Sequence, residues 1–329
     1  MKRREIVRLG AAVLFAPMFF ARTVAAQSKY PERPIKLIVP FPPGGINDPL
    51  GRIWAEKVKP MLGTVVVENQ GGAGGALGAA AVARARPDGY TILLGGSGAM
   101  FIYPAAASRP TYDPVRDFKP IAILAVAPLC FVVRPSLPAR NLNEFIDYAK
   151  ANPGKLSYGS TGVGSLPHVG GELFKILVKT PDLTHVPYKG AGPMLTDLMG
   201  GQIPFALPAL TAQVMSLHRS GKLRMLAVST ARRNDAAPEI PAATESGLPG
   251  MVAQNLLGLY VPARTPQAII EQLAQATRKV AADPDFHKQL SASGAEPFVD
   301  STPEKARQIV ADEIARYTPV IKSIGLKLD

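Results

Sequence analysis

"IKLIVPFPPGGINDPLGRIWAEKVKPML", Ile35 to Leu62, holds a short apolar run, a loop of prolines and glycines, and a helical stretch, in that order. Prolines stiffen the loop and withdraw N–H groups from it, while glycines let the backbone turn sharply and expose the N–H groups that remain. Asn47 or Asp48 is expected to cap the helix that follows. A rigid loop that ends at a helix N-terminus with unpaired N–H groups is suited to an anion. It is equally a tight strand-to-helix connection that touches nothing.

The same unit recurs outward from this stretch. "TVVVEN", "YTILLGG", "IAILAVAPLCFVV", "KLSYGS", "LTHVPYK", "QIPFAL" and "KLRMLAVST" read as strands. Between several of them lie helix candidates such as "ALGAAAVARAR", "LNEFIDYAKAN", "HVGGELFKILVK" and "GPMLTDLMGG". Such alternation predicts an α/β architecture in which parallel-rich sheets are flanked by helices, and two groups of strands suggest two lobes. After "NLLGLYVP" the chain is mostly helical, and its last helix starts cleanly at Ser301 or Thr302, Pro303 and Glu304. Ligands of open α/β sheets sit at the carboxyl ends of strands, so the loops there are the place to look.

The 329 residues suffice for two domains with cores of their own, and 47% hydrophobic with 19% charged residues describes a globular chain. Residues 1–26 differ from the rest. "MKRREIVR" is a positive leader, "LGAAVLFAPMFFA" an apolar stretch of signal-peptide length, and "TVAAQ" a small-residue cleavage region after Ala26. The mature chain is therefore expected to start near Gln27 and to be exported. Cys130 stands alone in "LCFVV", so no internal disulfide forms and a buried, inert thiol is expected. Without Lys2, Arg3, Arg4, Arg8, Arg22 and Glu5 the chain keeps 32 basic and 24 acidic residues, a charge of +8. These bases are scattered and not interleaved with aromatics, which speaks against nucleic acid and for a mild field that attracts small anions.

Four loops stand out. The first is the opening one. The second, "ENQGGAGGALG" (Glu68 to Gly78), has GxGxxxG spacing and no acid after the next strand, so it fails as a dinucleotide site. The third, "GGSGAM" (Gly95 to Met100), adds Ser97 to the candidate ligand residues but lacks the GxSxG spacing of a nucleophile elbow. The fourth, "YGSTGVGSLPHVGGELF" (Tyr158 to Phe174), offers N–H groups and the hydroxyls of Ser160, Thr161 and Ser165. His168 opens the helix behind it and either orders the loop or donates to a ligand. Asp48 either caps its helix or orders the first loop; beside an anion its charge must be spent on other groups. The four histidines lie far apart without metal-ligand spacing, and no cofactor is expected. The one nucleophile–base pair within reach, Ser165 with His168, has no evident third partner, so a secreted α/β enzyme is the weaker alternative.

"VPFPPGGINDPLGR", "VVVENQGGAGGALGAAAVARARPDGYTILLG", "YDPVRDFKPIA", "YGSTGVGSLPHVGGELFK", "HVPYKGAGPMLTDLMGGQI", "GKLRMLAVST" and "IPAATESGLPG" together resemble the Bug family, the extracytoplasmic solute receptors of tripartite tricarboxylate transporters. The resemblance runs through the whole mature chain. It implies a two-lobed, type II-like periplasmic-binding-protein fold that closes its cleft on a small carboxylate, performs no chemistry, and serves membrane transporter subunits or a sensor partner as a monomer. It places 27–129 with 254–329 in one lobe and 130–253 in the other. The family's first ligand loop matches Phe41, Pro42, Gly44, Gly45, Asn47 and Asp48, and its second matches Gly162, Val163, Ser165 and His168. The chain departs from the family at Pro208, where an Asp is common, at "QNLLGLY", where a Trp is common, and at "FIYPAAAS". The missing acid at Pro208 is expected to disfavour ligands with a free ammonium group.

Overall fold

The computed structural model describes residues 30–43 and 45–328; the expected leader, residues 1–26, and the candidate ligand residue Gly44 lie outside the described residues. The chain opens with β1 (Ile35–Val39), α1 (Asn47–Leu62), β2 (Val65–Asn69), α2 (Ala76–Ala83) and β3 (Thr91–Gly95). A π-helical turn, Gly98–Ile102, runs into α3 (Tyr103–Ala106) and is followed by β4 (Phe118–Pro128). After one residue the second group begins: β5 (Cys130–Val133), α4 (Leu142–Ala151), β6 (Ser157–Ser160), α5 (Leu166–Val178), β7 (Thr184–Pro187), α6 (Ala191–Met199), β8 (Phe205–Ala206), α7 (Ala212–Arg219) and β9 (Arg224–Val228). The chain then returns with β10 (Gln254–Pro262), α8 (Gln267–Ala281), α9 (Pro284–Ala292), β11 (Glu296–Pro297) and α10 (Pro303–Ser323).

Two sheets result, in the orders β11-β4-β10-β3-β1-β2 and β7-β6-β8-β5-β9. Each is mixed. β1, β2 and β3 are parallel, as are β6, β7 and β8, whereas β10 runs antiparallel to β3 and β4 and β5 antiparallel to β8 and β9. Local βαβ units supply the parallel strands; the strands that arrive from the other sheet, β10 and β5, run against them. α1 shows why the pattern folds this way. Leu50, Trp54, Val58 and Leu62 recur every four residues, all are buried, and Gly51 lets the helix sit close on Val39, Leu37 and Leu94.

The run "IAILAVAPLCFVV", read as one strand, is two strands in two sheets, and the change falls at Leu129. The return crossing lies between β9 and β10. Ser229 ties the crossings together: its buried hydroxyl lies 2.6 Å from the Ala253 carbonyl and 3.0 Å from that of Leu129, and it accepts the Leu129 N–H at 2.9 Å. Cys130 is fully buried at this junction with its thiol on the Pro208 carbonyl, and burial pushes its pKa up, in keeping with an inert thiol. In the second lobe Phe131, Phe145, Phe174 and Phe205 form one aromatic cluster that joins β5, α4, α5 and β8.

Candidate functional site

The β1–α1 loop enters its helix differently from the sequence expectation. Ile46 is already helical (φ −62°, ψ −29°), so the helix has no side-chain cap and neither Asn47 nor Asp48 serves as one. Asn47 is instead the first helical residue, 4% exposed, and its Nδ2 has no hydrogen-bond partner among the described residues. Asp48 turns to Arg52 one turn on: Arg52 Nε donates to Oδ2 at 3.2 Å, and Nη2 lies 3.0 Å from Oδ1 without hydrogen-bond alignment. Arg52 also donates to Asn69 Oδ1, and Asn69 Nδ2 donates to the Phe41 carbonyl at 3.0 Å. Asp48 thus spends its charge on Arg52 and, through Asn69, belongs to the brace that shapes the loop.

The second and third glycine-rich loops close on the first through contacts that leave no room for side chains. A methyl group at Gly71 would lie 2.8 Å from Pro42 Cδ, one at Gly75 3.0 Å from Phe41 Cζ, and one at Gly98 2.8 Å from the Gly74 carbonyl. Gly72, Gly74 and Gly75 also have φ of 138°, 63° and 98°, which disfavours any side chain. Ser97 plays another part: fully buried, its hydroxyl donates to the Gln254 carbonyl and accepts the Leu256 N–H, while its own N–H goes to Asn255 Oδ1. Its hydroxyl is spent on β10, where it braces the third loop.

The fourth loop comes from the other lobe. Ser165 caps α5, its hydroxyl donating to the Gly162 carbonyl at 2.6 Å and accepting the His168 N–H at 3.4 Å. Gly164 N–H donates to His168 Nδ1 at 3.2 Å, which places the proton of the neutral imidazole on Nε2. Ser165 and His168 therefore meet through the backbone: the Ser165 hydroxyl takes the His168 N–H, while the imidazole Nδ1 takes the N–H of Gly164. Gly162 (φ 127°) and Gly164 (φ 76°) need the left-handed region, and Val163 is exposed. The loops of the two lobes meet here, since a methyl at Gly74 would lie 3.4 Å from the Gly164 carbonyl and 3.9 Å from that of Val163.

Of the expected residues, Phe41, Pro42, Gly162, Val163, Ser165 and His168 belong to these two facing loops; Gly45 is half-buried between Phe41 and Asn47. Missed were Gly71, Gly74, Gly75 and Gly98, whose loops stood out by composition, and His185 on β7. The His185 ring stacks on His168 with centroids 4.0 Å apart and planes 16° apart, and its Nε2 lies 2.7 Å from Ser160 Oγ. Burial, then the neighbouring His168, lowers the His185 pKa from 6.5 to about 4. A histidine depressed in the folded state adds stability that is complete above its unfolded value and is lost as pH falls through its folded value. The melting temperature is accordingly expected to drop as pH falls from about 6.5 to about 4, and less so in His185→Phe. Equal slopes for the two proteins in a calorimetric pH series would contradict this.

Residues 50–326 match the family described as "Tripartite tricarboxylate transporter family receptor". The solved periplasmic binding protein BugD is 34% identical with a TM-score of 0.83, over 91% of this chain and 99% of its own. Rpa4515 of R. palustris, solved with adipate, is 33% identical with a TM-score of 0.85, over 91% and 99% of the two chains. MatC (Rpa3494) from Rhodopseudomonas palustris, solved with bound malate, is 31% identical with a TM-score of 0.81, over 89% of this chain and 100% of its own.

Proposed function

The chain belongs to the tripartite tricarboxylate transporter receptor family, and from that premise we propose that it captures a small dicarboxylate between its lobes and presents it to membrane transporter subunits. The observation that supports this reading is Asn47: a buried amide donor without an acceptor among the described residues, on the first turn of α1, behind a loop braced through Asn69. Buried donors are almost always paired, and one left free at a helix N-terminus suits a carboxylate from outside the chain. The ligands of the two related receptors, adipate and malate, are both dicarboxylates.

In this reading one lobe comprises 27–129 and 254–329 and the other 130–253, and Phe41, Pro42, Gly45, Asn47, Gly162, Val163 and His168 face the ligand. Asp48, Ser97 and Ser165 hold those loops in shape. His168 Nε2–H is the donor from the second lobe. Ligand that touches both walls stabilises the closed population. No chemistry is performed, in keeping with a Ser165 hydroxyl engaged by the backbone. Buried Pro208 offers no acid to an ammonium group, so dicarboxylates without an amino group are preferred over aspartate and glutamate. Export through residues 1–26 delivers the protein to the periplasm, and no helix among the described residues is long and apolar enough to cross a membrane.

A thermal-shift panel of dicarboxylates, tricarboxylates, aromatic acids, amino acids and sugars tests this. A ligand at 100 times its Kd adds about 2.7 kcal/mol to stability. Upward shifts with malate or adipate and none with glutamate are expected. Shifts with sugars or amino acids alone would overturn the proposal.

A further inference from the structure

His185 sits seventeen residues beyond His168 and on a different element, yet the two rings lie flat on one another. His185 also stacks on Tyr158, with centroids 5.0 Å apart and planes 28° apart. His185 thus links three rings into one column, Tyr158–His185–His168. Tyr158 is fixed at its far end, donating to Glu172 Oε1 at 2.7 Å and lying 3.2 Å from the His168 carbonyl. Lys175 pairs with Glu172 at 2.9 Å. The titratable and charged groups that bear on the two imidazoles are thus Tyr158 on β6 and Glu172 and Lys175 on α5, besides each other.

The column reaches the loop at two points. At the top, His168 Nδ1 accepts the Gly164 N–H. At the side, Ser160 Oγ binds His185 Nε2, accepts the Gly162 N–H at 3.1 Å and lies 3.2 Å from the Gly162 carbonyl. Protonating His168 would turn Nδ1 into a donor facing the Gly164 N–H, so the loop keeps its shape only while His168 is neutral. Burial is the main cause that lowers the His168 pKa, and the His185 ring stacked 4.0 Å away is part of what shields it from water.

We propose that His185 is a positioning residue for ligand capture: stacked on His168 and anchored to Ser160, it holds the His168 ring neutral with its proton on Nε2 and keeps Gly162–Ser165 in the shape that meets the ligand. His185 need not touch the ligand. The assignment rests on the proposed function only in its last clause; the state of His168 is a property of the protein alone.

The test records the imidazole ¹⁵N shifts of His168 in wild type, His185→Ala and His185→Phe, and titrates each protein with malate and adipate. In wild type the Nε2–H form is expected alone at pH 7.5. His185→Ala is expected to mix the two tautomers, raise the His168 titration toward the ordinary histidine value and weaken whichever dicarboxylate binds about tenfold. His185→Phe restores the stack without the Ser160 anchor and is expected to fall between the two; it also keeps the test alive should the alanine variant fail to fold. Unchanged ¹⁵N shifts in either folded variant would overturn the proposal, as would unchanged affinity alongside altered shifts. Should wild type bind neither acid, the functional reading fails, and the nitrogen shifts still decide the role of His185.

Discussion

Gly171→Ala is expected to lower unfolding free energy by about 2–3 kcal/mol, the upper part of the usual cost of overpacking a core. The sign is opposite to the ordinary one, since Gly to Ala inside a helix gains roughly 1 kcal/mol. Space decides it. A methyl group on Gly171 in α5 would run into the Tyr158 ring, with Cζ at 2.5 Å and Cδ2 at 2.8 Å as well as Cε2. That ring cannot step aside: it is fully buried, stacked on His185 and held through its hydroxyl by Glu172. The strain passes along the ring column to the fourth loop, so dicarboxylate affinity should fall together with stability. Urea unfolding reads the first effect and titration the second. A midpoint equal to or above that of wild type would show that Tyr158 is free to move.

Asn47→Asp changes one atom group and reverses the character of the site. The amide that offers a donor becomes a carboxylate beside Asp48, aimed where the ligand's own carboxylate would lie. Loss of a hydrogen bond to a charged group costs about 1.5–3 kcal/mol, and charge repulsion adds to that. Malate or adipate affinity is expected to fall by at least about a hundredfold at pH 7.5. Asn47→Ala, which only removes the donor, is expected to lose roughly tenfold and to leave the ligand-free protein as stable as wild type or more so, because the orphaned Nδ2 contributes nothing to the fold. A marked loss of stability in ligand-free Asn47→Ala, with affinity retained, would assign Asn47 to the fold.

What could be read in advance follows the range of the interactions involved. The strand–helix units of the first lobe were legible because Ile35–Val39 and Asn47–Leu62 carry their own local patterns. The passage from one sheet to the other at Leu129 left no mark on hydropathy, since β4 and β5 are both buried and join as one apolar run. "GAMFI" has no periodicity because its five residues are buried on every side, so the π-helical turn was invisible. The misread cap at Asn47 has a local cause: an Asn–Asp pair before a helix ordinarily caps it, but Ile46 had already adopted the helical conformation.

The site divides in the same way. Loops rich in glycine announced themselves, but which of them touch is a matter of tertiary approach. Gly74 meets the Gly164 carbonyl across ninety residues, and no spacing rule encodes that. His185 read as an ordinary strand residue in "LTHVPYK", since its partners, Tyr158, Ser160 and His168, come together only when β7 pairs with β6. Asp48 and Ser97 carried the residue type of ligand groups and turned out to brace loops, because Arg52 and β10 claim them first.

The most direct test of the central claim is a calorimetric titration of the mature protein, unfolded and refolded to strip carried-over ligand, with malate and with adipate. Saturable binding of one molecule per chain by at least one of them is predicted, with the acid recovered chemically unchanged afterwards. No heat with either acid, or an acid consumed on incubation, would contradict the account of this chain as a dicarboxylate receptor.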